Sequence, residues 1–390
     1  MSGAPLPLED AWAKLLALVQ ALPAEDLAVG AAGGRYLAQP LAARLTRPAA
    51  DLSAMDGFAL AGEGPWSVIG ESRCGAPFGG ALEDGQAVRI STGATVPAGS
   101  DRVLIQEDAR RDGDRLALAG PMPGPGANIR ARGIDFGEGD ALLPAGSRIG
   151  PRQVALALSA GADTVRVHRA PRVAILDCGD ELVDGSVPAT NGAMLAAMAG
   201  ALPCEVRRIG PVPDDREALG QALARCDDCD FVLTSGGASV GDHDLVRPAL
   251  EAWGARMAFW RVAIRPGKPL MVARREGALV LGLPGNPVSA FVTGFLFAIP
   301  ALRALLGAPD PLPASEPVPA GRDLPPGGER GEFLRANLRG GRALPIMQRD
   351  SSLLSPLARA DALIWRPPHC PPAKAGTDVP VYRLENGAIA

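Results

Sequence analysis

Lysine, histidine and cysteine are all scarce in this chain of 390 residues. Only three lysines occur, Lys14, Lys268 and Lys374, so arginine supplies nearly all of the 39 basic residues. Against 43 acidic residues they leave a net charge of −4, which excludes the global basic footprint of a nucleic-acid-binding protein. Three histidines (His168, His243, His369) and six cysteines (Cys74, Cys178, Cys204, Cys226, Cys229, Cys370) are too scattered for a disulfide framework. Cys226 and Cys229 form a Cys-x-x-Cys pair, but no second such pair and no histidine pair completes a zinc site. This thiol usage fits a reducing cytoplasm. Long hydrophobic runs are also few. Glu9 and Asp10 interrupt the first apolar stretch and nothing basic precedes it, unlike a signal peptide. Gly277 to Leu302 carries no charge, yet Pro284-Gly285-Asn286-Pro287 cuts it. The cut leaves about 16 residues, short of the ~20 that a membrane span needs. A buried strand, a turn and a buried helix in a soluble protein account for it, with no role for a membrane.

Glycine (48) and proline (38), by contrast, are abundant, together about 22% of the chain. That exceeds the usual share of about 12% and stays below the roughly 25–30% of low-complexity chains. Apolar residues at 47% and charged ones at 21% are ordinary for a globular protein. The length predicts two to three domains at roughly 150 residues each. Leu8, Trp12, Leu15, Leu16, Val19 and Leu22 recur at helical spacing and predict an opening amphipathic helix. From Arg44 to Gly146, short apolar runs between Gly, Pro and Asp clusters predict a small β module. Pro151 starts another helix at its favoured first-turn position. From Pro171 onward strands and helices alternate: strands at Arg172–Asp177, Glu205–Ile209, Asp230–Thr234, Met257–Ile264, Leu270–Ala273 and Ala278–Leu283, with helices at Asn191–Leu202, Asp214–Arg225, Asp242–Trp253 and Val288–Leu306. Such alternation predicts βαβ units and a mostly parallel sheet. Ala308–Gly328, with seven prolines, reads as a linker, and the last sixty residues read as a small all-β domain.

Ligands of open α/β sheets bind beyond the carboxyl ends of the strands. Three loops there are unusual. Cys178-Gly179-Asp180-Glu181 places two carboxylates on a tight turn, and Thr234 to Asp242 mixes glycines with hydroxyls before a helix. Backbone N–H groups of such a loop can approach an anion. Gly282 to Pro287 forms a rigid turn into the final helix, and Arg265-Pro266-Gly267-Lys268-Pro269 adds two cations. Each feature alone is compatible with a solvated turn or a surface hairpin. Together they suit a polyanionic small molecule with a metal ion. Polar turns at Ser53–Ala59, Ser91–Pro97 and Asn128–Phe136 form a second group in the β module, and spacing leaves open whether they meet the sheet loops in the same chain or across a dimer.

Ser53–Ala59, Thr92–Pro97 with Glu107, Arg132–Phe136, Gly179–Val183, Ser235–Asp244, Arg265–Pro269 and Gly282–Ser289 follow one another as in the molybdopterin molybdenumtransferases, which these motifs closely resemble. This is the MoeA family, which includes the E domain of gephyrin. The resemblance spans about Leu8 to Tyr382. It implies an α/β multidomain fold: an elongated helical segment (1–43 and 141–170), an inserted β domain (44–140), a MogA-like α/β domain with a mostly parallel sheet (171–308), and a Pro-rich linker with a C-terminal β-barrel domain (309–390). It implies a homodimer whose cleft joins the α/β domain of one subunit to the β domain of the other. The implied activity inserts molybdenum from molybdate into adenylylated molybdopterin, releasing AMP with Mg²⁺ as cofactor. Implied partners are a MogA-like adenylyltransferase and downstream molybdoenzymes.

Carried over by motif, the catalytic positions are Asp56, Thr92, Asp135, Glu181, Asp214, Asp244 and Lys268. Ser235, Gly236, Gly237, Ser239 and Asp244 would hold the pterin and its phosphate, with Arg261, Arg265, Pro284 and Pro287 at further family positions. Lys268, Ser289, Arg335 and Ser351 would form an oxyanion pocket for molybdate, and Asp180 and Glu181 would hold the metal. The chain also departs from the family pattern. Asp177-Cys178 stands where Ser-Thr is common, Ile134 replaces a glutamate, Arg265 a lysine, and Asp361-Ala362 an Asn-Gly; Ser352 replaces a glycine. The rival readings are a non-catalytic cofactor carrier or scaffold, and a nucleotide pyrophosphatase.

Overall fold

The computed structural model describes residues 4–236 and 245–384. Gly237, Ser239 and Asp244 therefore lie outside the described residues, as does the start of the helix expected at Asp242. The opening helix spans Leu8–Ala17. It ends earlier than its apolar spacing suggests, because Leu22 donates its backbone N–H to Leu305 O instead of continuing the helix. Trp12 Nε1 donates to Leu296 O at 2.7 Å, and Leu8, Trp12 and Leu15 join the core of the α/β domain. Burying these side chains contributes on the order of 2 kcal/mol each.

Two short antiparallel pairings, Ala24–Ala28 with Thr164–His168 and Leu41–Ala42 with Ala141–Leu143, build the connecting segment beside the helix Pro151–Ser159. The β module is a six-stranded sheet in which Gly57–Leu60 lies between Gln86–Ile90 and Arg102–Ile105. Phe58, Trp66, Leu104 and Leu116 fill one of its faces and Ile90 and Val103 the other.

The α/β domain contains six strands: β1 (Arg172–Cys178), β2 (Glu205–Val212), β3 (Phe231–Ser235), β4 (Arg256–Trp260), β5 (Met271–Arg275) and β6 (Ala278–Leu283). Their order is β2-β1-β3-β6-β5-β4. The first three ladders are parallel and the last two antiparallel. Every residue of β3 and β6 is buried, as a parallel sheet covered on both faces requires. Helices α1 (Thr190–Gly200), α2 (Arg216–Ala224), α3 (Val246–Ala252) and α4 (Pro287–Leu305) pack around the sheet. α4 is the one described helix long and apolar enough to cross a membrane, yet 83% of its most apolar 18-residue stretch is buried in the protein. The strand expected at Met257–Ile264 is divided: β4 ends at Trp260, and Ile264–Arg265 pairs with the C-terminal domain instead.

The proline-rich segment is not only a linker. Glu316–Pro319 forms a strand against Asp378–Arg383, at an edge where proline sacrifices no ladder bond. The C-terminal sheet runs Ile264–Arg265, Gly331–Arg339, Ala362–Arg366, Asp378–Arg383, Glu316–Pro319, with Arg342–Pro345 beside Gly331–Arg339. A bridge between Ala320 and Ala343 joins that last hairpin strand to the far edge and brings the sheet round on itself.

Candidate functional site

The registers of the parallel ladders place Asp177, Ser235 and Leu283 in one row at the carboxyl ends of β1, β3 and β6. The loops leaving that row line a cleft of about 860 Å³. Its walls include Glu181, Asn191, Asp214, Ser235, Gly236, Pro284 and Pro287. Gly236 has φ +91°, and a Cβ there would stand 2.6 Å from Cys178 O, so only glycine lets the two loops approach so closely. Asp180 Oδ1 accepts from Asp214 N at 2.9 Å and thereby ties the two acidic loops together. Partial burial of the carboxyl, then the negative charges of Asp180 and Glu181, raise the Asp214 pKa above its usual value.

Three polar atoms at this sheet edge are buried without a hydrogen-bond partner: Asp177 Oδ1, Asn191 Oδ1 and Thr234 Oγ1. Buried polar atoms are ordinarily paired, and Asp177 and Asn191 line the cleft, where a bound molecule can complete their bonding. Asp177 Oδ2 accepts from Arg208 Nη2 at 2.9 Å, so the carboxylate that replaces the hydroxyl at this position is partly neutralised. It packs against the Cα of Gly192, where a Cβ would stand 2.0 Å from Oδ2.

A second cleft of about 350 Å³ adjoins the first, and Pro269 lines both. It brings together Lys268, Ser289, Arg335 and Ser351, the four residues expected to form an oxyanion pocket, along with Arg265, Arg330 and Arg349. Glu332 accepts contacts from Arg349 at 3.5 Å and Arg265 at 3.9 Å. Lys268 makes no side-chain hydrogen bond or ion pair with the described residues and is available to an anion. Arg335 is only 5% exposed and donates to Leu353 O at 3.0 Å, Asp350 O at 3.1 Å and also Gln348 O. Burial lowers its pKa, although arginine remains charged at neutral pH. Its guanidinium thus shapes the loop that carries Ser351 and Ser352. Val288 N, at the start of α4, donates to Ser351 O at 3.0 Å and docks that loop on the α/β domain.

The β-module turns form a separate cluster. Asp56 Oδ1 accepts from Thr92 N at 2.6 Å and Thr92 Oγ1 at 3.0 Å. Those two bonds, the backbone one foremost, hold the Asp56 carboxyl below its ordinary pKa. Ser53 pairs with Ile129, so the turns at Ser53–Asp56, Thr92 and Asn128–Arg130 lie side by side. Asp135 sits apart, with its N–H bonded to Arg47 O. None of Asp56, Thr92 or Asp135 lines either cleft. Arg261 also lines neither and stacks on Trp260 at 4.8 Å. Asp180 faces Asp214 rather than the cleft wall. Sequence reasoning missed Asn191, whose Nδ2 donates to Gly285 O at 2.6 Å and so joins α1 to the Pro284–Pro287 turn. A polar residue at the start of an otherwise apolar helix was the available signal.

Comparison with known proteins gives three consecutive family matches. Residues 6–161 match the MoeA N-terminal region (domain I and II), 174–304 the probable molybdopterin binding domain, and 317–384 the MoeA C-terminal region (domain IV). The molybdopterin molybdenumtransferase of Haemophilus influenzae is 36% identical over 77% of this chain and 78% of its own length. That of Nostoc is 37% identical over 71% and 68%. The molybdopterin biosynthesis MoeA protein of Pyrococcus horikoshii superposes with a TM-score of 0.84 at 26% identity, covering 97% of this chain and all of its own. On sequence, domain order and fold, the chain belongs to the molybdopterin molybdenumtransferase (MoeA) family.

Proposed function

We propose that the chain inserts molybdenum from molybdate into adenylylated molybdopterin and releases AMP, as a step of molybdenum cofactor biosynthesis. The observation that carries this reading is the meeting of Lys268, Ser289, Arg335 and Ser351 in a cationic cleft beside the larger one. A tetrahedral oxyanion suits the small cleft, and the pterin with its diphosphate suits the large one. Ser235 and Gly236 contact the phosphates, and Asn191 supplies a group able to pair with the polar edge of the ring. Arg265 and Lys268 offset charge that develops on the departing phosphate. An oxygen nucleophile from molybdate or water attacks the adenylyl phosphorus, the phosphoanhydride bond breaks with the pterin phosphate as leaving group, and AMP is released carrying the nucleophile's oxygen. The dithiolene sulfurs then take molybdenum, Mo–S bonds replacing Mo–O bonds of molybdate whose oxygen leaves as water with the thiol protons. Oxygen-labelled molybdate separates the two nucleophiles, since AMP without label excludes direct attack by molybdate.

Among the described residues no three acidic, histidine or cysteine side chains form a metal cage on their own. Mg²⁺ does not need one, because it binds through one or two carboxylates plus substrate phosphates and keeps several waters. The mutual repulsion of Asp180, Glu181 and Asp214 fits such a cation, with Glu181 and Asp214 on the cleft wall as its ligands. When bound, it would supply electrophilic polarisation of a phosphoryl oxygen. A homodimer is part of the same proposal: Asp56 and Thr92 form an ordered polar pair away from both clefts of their own chain, as expected if they serve a partner's cleft. A MogA-like adenylyltransferase would deliver the substrate and molybdoenzymes would accept the product, in the cytoplasm. The test is to mix the protein with adenylylated molybdopterin and Mg²⁺, with and without molybdate. AMP release that requires molybdate supports insertion. Release indifferent to molybdate favours a pyrophosphatase, and tight binding without AMP favours a carrier.

A further inference from the structure

The Cys-x-x-Cys pair has no part in either cleft. Cys226 and Cys229 lie on the turn between α2 and β3, within a small core that also holds Leu223, Leu219 and Leu250. Cys229 N donates to Cys226 O at 2.9 Å. A turn closed by such an i to i+3 bond keeps its end Cα atoms within about 7 Å. A disulfide spans Cα separations of about 4.4–6.8 Å, so the backbone already holds the two residues near bonding distance. Both are free thiols here. A single cation, Arg207 of β2, donates from Nη2 to Cys229 Sγ at 2.8 Å and bonds Asp228 with the same group.

We propose that Cys226 and Cys229 are a redox-active dithiol that hydrogen peroxide converts to an intramolecular disulfide. The chemistry follows from the unequal surroundings of the two sulfurs. A hydrogen bond from Cys226, then that from Arg207, draws the Cys229 thiol down to about 7. Its partner is pushed strongly upward by the same bond and by burial. Cys229 is therefore the nucleophile, because the thiolate is the reactive form. It attacks the peroxide: an S–O bond forms, the O–O bond breaks, and water leaves after protonation. Cys226 then attacks the Cys229 sulfenic acid. The S–S bond forms, the S–O bond breaks, and the Cys226 proton leaves with hydroxide as a second water. Two thiols are oxidised and one peroxide is reduced to two waters. The relative exposure of Cys229 is only 6%, which admits a small peroxide more readily than a bulky disulfide. The consequence reaches β3 directly, since that strand starts two residues after Cys229 and ends at Ser235 in the large cleft.

The experiment exposes the folded full chain to hydrogen peroxide, blocks free thiols, and analyses the cysteine peptides by mass spectrometry. The expected result is that the Cys226–Cys229 peptide loses two hydrogens and its capacity for alkylation, and recovers both on addition of dithiothreitol. Exposed Cys74 serves as an internal control for thiol labelling. A Cys226–Cys229 peptide that stays fully alkylated, or Cys229 that advances to sulfinic acid without a disulfide, overturns the proposal. In a folded Arg207→Leu variant the midpoint of Cys229 alkylation against pH should rise toward the ~8.5 of a free thiol. An unchanged midpoint contradicts the role given to Arg207. The wild-type mass measurement decides the disulfide whether or not that variant folds, and it does not depend on the proposed molybdenum transfer.

Discussion

The two adjoining clefts differ in charge. The larger is walled by Glu181, Asp214 and Asp177 with orphaned polar atoms at its floor, and the smaller by Lys268, Arg265, Arg330, Arg335 and Arg349. Pro269 belongs to both, and the loop of Ser351 and Ser352 places one serine in each. The contrast teaches that a divalent ion and an oxyanion can be held side by side, each by groups of the opposite charge. Acidic groups beside the phosphates attract a divalent ion, and basic groups next door keep the oxyanion close without neutralising them. The difference also has distinct structural origins. The acidic wall follows from sheet register, whereas the basic wall depends on the C-terminal domain docking against α4.

The largest expected effects come from removing acids. Glu181→Gln and Asp56→Asn should each abolish insertion while circular dichroism and melting temperature stay near wild type. Full turnover by both would show that the acidic side of the comparison is misplaced. Next comes Arg335→Ala, which removes a buried cation and its hydrogen bonds to the carbonyls of Gln348, Asp350 and Leu353. Water can reach the carbonyls of these exposed loop residues, so chemical denaturation should show a loss of about 1–2 kcal/mol, together with weakened molybdate affinity. A variant as stable as wild type would remove Arg335 as the organiser of the loop.

A smaller effect is expected from Asp177→Ser. Its carboxylate is 2% exposed, but Arg208 is 43% exposed and solvent can take over its charge. The loss of the pair should therefore change stability by about 1 kcal/mol or less, while KM for the pterin substrate shifts more than kcat. A selective fall in kcat would instead place Asp177 in the chemistry. The smallest effect concerns pH and Mg²⁺. Asp214 binds its proton more tightly in the folded chain, so its contribution to stability is greatest below the ordinary aspartate value of 3.8 and falls as pH rises through its raised pKa. At neutral pH Mg²⁺ should offset this repulsion and raise Tm by a few degrees, and Glu181→Gln should shrink that rise. Equal rises in both proteins would separate the ion from Glu181.

Much of the fold was legible because its signals are local. Apolar runs of strand length predicted β1, β3 and β6, and Pro287 with the apolar run after it predicted α4. The strand at Glu316–Pro319 escaped notice because its prolines mimic a linker, and only pairing with Asp378–Arg383 makes them an edge. Individual site motifs were also visible, since glycine, proline and acid clusters stand out in sequence. Their grouping was not. That Lys268 and Ser289 meet Arg335 and Ser351 depends on domain docking, which no spacing encodes. Likewise Asn191 acquires meaning only when α1 meets the Pro284–Pro287 turn. The high glycine and proline content now has a use at particular places: Gly236 permits a backbone approach, and Pro269 marks the boundary between two clefts of opposite charge.

The division of labour between the clefts is tested most directly by equilibrium binding of molybdate to wild type, Lys268→Ala and Glu181→Gln, without the pterin. The account predicts that Lys268→Ala weakens binding at least tenfold, on the order of 1.4 kcal/mol, and that Glu181→Gln binds like wild type. Weakened binding in Glu181→Gln with unaltered binding in Lys268→Ala would contradict it.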